Sequence, residues 1–176
     1  MTETSTNDTP FWRFSLHFYR QAGVAEACIA LQDECGVDVN LMLFLLWLAA
    51  NERQLSAENV KELDDAVRAW RELTIIPIRE VRRKLKDAPT LIEDGKQEAL
   101  RTKIKAIELE AERLQQEALY ARSRSAPLGS EARAAAAART NLAAYERVLG
   151  ARFPKLALNR LVDAFDAIKF KDFAAP

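Results

Sequence analysis

Four polar side chains crowd into one short stretch of the sequence: Gln32, Asp33, Asp38 and Asn40. They stand just before the most apolar run of the chain, Leu41–Ala50. The simpler reading is capping. Gly36 supplies a left-handed stop, the Asp38 carboxylate accepts from the unpartnered N–H groups of the next helix, and Asn40 bonds to backbone near the turn. The functional reading joins these four to Trp12 and His17 of an aromatic N-terminal segment. Aromatic walls with a few polar anchors are what small-molecule sites use. Trp12, His17, Gln32, Asp33, Asp38 and Asn40 are therefore the candidate ligand-binding residues.

Other constellations carry less. Asp64-Asp65 is similar to the aspartate-rich signature with which prenyl-diphosphate synthases hold magnesium and diphosphate, but Arg68 stands where a further acid belongs. Asp163 and Asp166 are three apart and share a helix face, so a two-carboxylate magnesium site is physically possible; solvated surface is the simpler account. His17 is the single histidine. Di-iron bundles need paired Glu-x-x-His motifs, and zinc needs Cys and His at ligand spacing; neither pattern occurs. Cys28 and Cys35 lie seven apart on one expected helix, about 10 Å along its axis, too far for a bridge. Both read as small apolar residues in a reducing, cytoplasmic compartment. The five glycines are isolated, so there is no phosphate loop. No catalytic residue, metal ligand or cofactor follows from the sequence.

Charge is balanced overall and split along the chain. Residues 1–78 carry 6 Lys+Arg against 12 Asp+Glu, and residues 79–176 carry 20 against 14. Two attracting halves of one fold explain this, and so does a basic surface facing an acidic partner such as nucleic acid. Arg122 and Arg124 are the best-placed pair for an anionic partner, although no nucleic-acid-binding motif accompanies them.

These residues must be positioned by helices. Ala, Leu, Glu, Arg and Lys dominate, and the hydrophobic share is 49%. Residues 1–9 read as a disordered tail with no signal-peptide pattern. Pro10 opens a first helix, about 11–20, that is aromatic nearly all round. Helices follow at about 23–35 and 39–53, the latter oily but far short of the roughly 20 residues a membrane span needs. Ser56 caps a fourth helix. Pro77 breaks or kinks it, leaving a fifth piece at about 78–86. A long sixth helix, about 95–122, carries Leu100, Ile104, Ile107, Ala111, Leu114 and Ala118 in alternating steps of four and three, a heptad seam. This seam closes either within the chain or across a dimer. After the loop 123–130, a helix at about 131–149 completes an antiparallel hairpin, and a last helix covers about 154–168.

Several motifs stand together in the first third: Phe11-Trp12-x-Phe14-Ser15-Leu16-x-x-Tyr19, Gly23-Val24-x-x-Ala27-Cys28, Leu31-Gln32-Asp33, then Gly36-x-Asp38-Val39-Asn40-Leu41-x-Leu43-Phe44-x-x-Trp47-Leu48-Ala49. With them the chain resembles an uncharacterised all-α family of small proteobacterial proteins, a domain of unknown function. The resemblance is strongest over about 11–50 and extends more weakly to about 115. It implies a bacterial helical domain and no activity.

The expected fold is all-α: a compact multi-helix bundle around a buried central helix at about 39–53, with a C-terminal antiparallel helical hairpin. Residues 10–176 form a single domain, with a family-like core to about 115 and a helical extension from about 116 to 170. The favoured function is a non-enzymatic interaction or regulatory protein of the bacterial cytoplasm, binding a protein partner or itself through helices at about 95–150. The alternatives are a small-ligand or enzymatic domain using the polar cluster, and anion or nucleic-acid binding by the basic half.

Overall fold

The computed structural model describes residues 9–92 and 95–173. The expected tail at 1–9 lies outside these residues except for Thr9. Its hydroxyl accepts from the Trp12 N–H at 3.1 Å and so caps α1 (Pro10–Tyr19). The chain continues through α2 (Val24–Cys35), α3 (Val39–Ala50), α4 (Ala57–Trp70), α5 (Ile76–Asp87), α6 (Lys96–Ser125), α7 (Ala134–Leu149) and α8 (Lys155–Ala167), ending in a 3₁₀ turn, Phe170–Phe173. The fold is all-α, as expected.

Every residue of α3 from Asn40 to Ala49 is buried. That is why its hydrophobicity has no preferred side: a helix apolar all round belongs in the middle of a core. Phe11, Phe14 and Phe18 of α1, Cys28 and Leu31 of α2, Leu142 and Tyr145 of α7 and Leu161 and Phe165 of α8 join the same cluster. Trp47 lies at its centre, against Phe11, Phe44 and Tyr120 at 5.6–5.7 Å between rings. No helix among the described residues is long and apolar enough to cross a membrane.

Pro77 does not break the fourth helix. The residues just before it, Arg71–Ile75, form a π-helical turn, and α4 runs through it into α5. Widening the turn leaves room for the ring, and the Thr74 hydroxyl donates to the Trp70 carbonyl at 2.6 Å. Position 71 consequently faces the foot of α3.

The segment expected to begin the seventh helix does something else. Ser130–Glu131 pairs antiparallel with Arg53–Gln54, matching Arg53 with Glu131 and Gln54 with Ser130. Buried Asn141 supports this pairing by accepting from the Leu55 N–H and donating to the carbonyls of Leu45 and Arg53. Gly129, at φ +65°, brings its backbone so close that a Cβ there would lie 2.1 Å from the Gln54 carbonyl oxygen. Gly129→Ala is expected to destabilise the fold by clearly more than the ~1 kcal/mol typical of a simple glycine conformational effect, read as a lower midpoint in urea denaturation.

The two arms of the C-terminal hairpin are splayed. α6 packs chiefly along α5 and α3, and α7 along α3 and α4, so both arms meet the central helix more than each other.

Candidate functional site

A cleft of about 700 Å³ opens between α1, α2, α3, α5 and α6. The all-round apolar character of α1 accounts for one wall. Its Phe11, Phe14 and Phe18 face the core, which leaves Trp12, Leu16 and Tyr19 to line the cleft. Leu16 and Tyr19 remain 38% exposed and Ile29 of α2 49%. Leu109 and Ala106 of α6 line the opposite side. The Arg113 guanidinium sits 5.9 Å from the centre of the Trp12 ring and fixes the edge of this wall.

The floor is made of amides. Asn40, in the first turn of α3, accepts from Gln116 Nε2 at 2.8 Å, and both residues line the cleft together with Gln32. Both Asn40 and Gln116 are about 95% buried. The Asn40 amide nitrogen has no hydrogen-bond partner among the described residues, and neither does the Gln116 carbonyl oxygen behind it. Buried polar groups rarely stay unpaired, so this floor favours an added polar partner, a ligand or ordered water.

The rim is basic. Arg20, Arg79, Arg82, Arg83 and Lys105 line the cleft against two carboxylates, Glu108 and Glu112. Arg79 binds Glu108 at 2.9 Å and Glu112 at 2.6 Å, and Arg82 also binds Glu108. Burial pushes the Glu108 carboxyl up, but Arg82 and Arg79 outweigh it and hold the group below the usual carboxylate value. At Glu112 burial prevails over Arg79, and the carboxyl is raised. Arg20 and Lys105 have no carboxylate partner among the described residues.

Of the six candidate ligand-binding residues, the structure brings Trp12, Gln32 and Asn40 to this cleft. Asp33 and Asp38 line a smaller neighbouring recess of about 220 Å³, which shares Gln32, Asn40, Arg79 and Arg83 with the larger one. Asp33 is paired with Arg83 at 3.0 Å. Asp38 is structural: Oδ1 accepts from the Asn40 and Leu41 N–H groups, and Oδ2 accepts from Arg71 and Gln115. His17 lies elsewhere on α1, beside Gln21 and the Phe173 ring, and does not line either recess. The arginines of α5 and the α6 residues were not legible as site residues, because nothing in their spacing says that a π turn will bring them over α2.

The remaining candidates have local accounts. Asp64 is buried and bound to Arg68 and Arg71, and Asp65 to Lys61 and Arg68, so this acid pair is already neutralised. Asp166 pairs with Arg139. No metal-ligating cluster occurs among the described residues. Burial pushes the Cys28 thiol up to about 12. Arg122 and Arg124 are exposed in the last turn of α6, where cations complement the helix dipole, and lie outside both recesses.

No curated protein and no solved structure matches the chain. Residues 10–119 match a family described as a protein of unknown function (DUF2390), and they supply every wall of the cleft. The chain belongs to that family of unknown function.

Proposed function

We propose that this protein is a non-enzymatic small-molecule-binding domain whose cleft takes a ligand with an apolar body and an anionic head. The observation that carries this reading is the set of half-exposed apolar side chains, Trp12, Leu16, Tyr19 and Ile29, held around a recess of ligand size. The amide floor adds a free donor at Asn40, and the excess of rim cations selects negative charge. The cleft acids support binding rather than proton transfer, because Glu108 and Glu112 are both tied to arginines.

Calorimetric titration with decanesulfonate, and with decanol as its uncharged counterpart, tests the reading. The expected result is saturable one-to-one binding, tighter for the sulfonate. The pair Arg20→Ala and Lys105→Ala is expected to weaken the sulfonate about twofold to thirtyfold, at roughly 0.2–1 kcal/mol per exposed charge, and to leave decanol unchanged. Absence of binding by either compound would reject the proposal.

The raised Glu112 carboxyl adds a pH dependence. As pH falls from neutral, Glu112 takes up its proton before an ordinary carboxylate and removes one negative charge from the cleft. Decanesulfonate, which does not titrate, is expected to bind more tightly at pH 5 than at pH 7. Glu112→Gln should flatten that dependence and bind decanesulfonate more tightly than the wild type at pH 7.

A further inference from the structure

The heptad seam of α6 closes only in part within the chain, where Ala111 is buried and Ile104 half-buried. Leu100, Ile107 and Leu114, spaced by seven, are 51%, 56% and 46% exposed, and Ala118 is exposed as well. The buried side of the helix is instead Glu108, Ala111, Gln115, Gln116, Leu119 and Tyr120. At 100° per residue, Leu109 of the cleft lies 200° round the helix from Ile107, so the stripe and the cleft occupy different faces.

We infer that this stripe is the contact between two copies of the chain, which meet through α6 in antiparallel orientation about a two-fold axis at Ile107. The charges beside the stripe carry the choice of occupant. Lys103 and Glu110 flank it on one side, both exposed and neither with an ion-pair partner among the described residues. They are two turns apart and cannot pair with each other along their own helix. A two-fold axis through Ile107 sets Ile107 against Ile107 of the second copy and Leu100 against Leu114. The same operation brings Lys103 to within one residue, about 1.5 Å along the axis, of Glu110 of the second copy, twice over. Isologous pairing requires this reciprocity, residue i on j and j on i. A parallel pairing would put Lys103 beside Lys103 and Glu110 beside Glu110. The apolar contact is short, at the small end of specific interfaces, about 1,000 Å² or less. The dimer is therefore a reversible one, in exchange with monomer.

Sedimentation equilibrium from about 1 μM to 1 mM, the range in which weak pairs dissociate, tests the inference on the full chain. The wild type is expected to shift from monomer to dimer across it. Lys103→Glu or Glu110→Lys alone places like charges together at both symmetry-related positions and is expected to raise the dissociation constant at least about tenfold. The double reversal in one chain restores the pairing and the wild-type constant. A cysteine pair tests the orientation independently. In a Cys35→Ser background, mixed Leu100→Cys and Leu114→Cys chains should cross-link to each other in preference to like chains. A wild type that stays monomeric throughout, a dimer indifferent to the single reversals, or preferential like-with-like cross-linking would each overturn the inference. Decanesulfonate binding is expected to be the same in Lys103→Glu, so this outcome and that of the cleft are separable.

Discussion

Arg71→Ala is expected to lower the folding free energy by about 3–5 kcal/mol, the cost of leaving buried charge without its partner. Arg71 Nη1 lies 2.8 Å from Asp38 Oδ2 and 2.8 Å from Asp64 Oδ1, and these two carboxylates are 3–4% exposed. Burial disfavours the guanidinium's charge, but the two aspartates more than offset it, and the pKa is raised. The same network takes in Gln115 of α6, which donates to Asp38 at 2.6 Å, and Tyr145 of α7, whose hydroxyl accepts from the Asp38 N–H at 2.9 Å. Asp38 at the start of α3 is thus tied to α4 through Arg71 and Asp64, to α6 through Gln115 and to α7 through Tyr145. In urea denaturation followed by circular dichroism the midpoint should fall by roughly 2 M, given a slope of about 2 kcal/mol per M. Neutralising all three positions together, with Arg71→Met, Asp38→Asn and Asp64→Asn, should recover much of the loss, because the desolvation cost disappears with the charges. A single substitution that leaves the midpoint within error would show that the network is not holding the bundle.

Trp47→Ala is expected to cost a similar amount, about 3–5 kcal/mol for removing a buried large aromatic side chain. The ring is 1% exposed and packs between α1 and α6, and its Nε1 donates to the Phe173 carbonyl at 3.0 Å. That bond fastens the C-terminal 3₁₀ turn to the central helix. Trp47→Phe separates the two contributions: it keeps most of the packing and removes the donor, for an expected loss of about 1–2 kcal/mol. Hydrogen exchange should then show protection lost first at Phe170–Phe173. A uniform loss of protection across the bundle would mean that the turn is no separate unit.

The helices were legible because their signals are local. Asp38 and Gly36 marked the turn between α2 and α3, and an unbroken apolar run marked α3 as central. The π turn was not legible: Pro77 announces an interruption, but whether a helix ends or widens depends on Arg71 finding buried Asp38, 33 residues away, as well as nearby Asp64. The Ser130–Glu131 pairing was equally hidden, since two residues on each side make no pattern and depend on Asn141. Three of the residues that line the proposed ligand site, Trp12, Gln32 and Asn40, stood in the sequence as aromatic and amide residues near helix ends. His17 lines neither recess, because α1 is apolar on two faces and residue type alone does not say which one a histidine joins. Leu100, Ile107 and Leu114 of the seam face outward because Glu108 is drawn inward by Arg79 and Arg82, which the spacing alone does not show.

Resonances of the Trp12 indole N–H and of the Asn40 and Gln116 side-chain amides report directly on the cleft. In a titration with decanesulfonate these three should shift together and saturate at one equivalent of bound ligand, while the His17 ring and the Trp70 indole stay still. Saturable binding that moves Trp70 or His17 and leaves the three cleft groups unchanged would contradict the account.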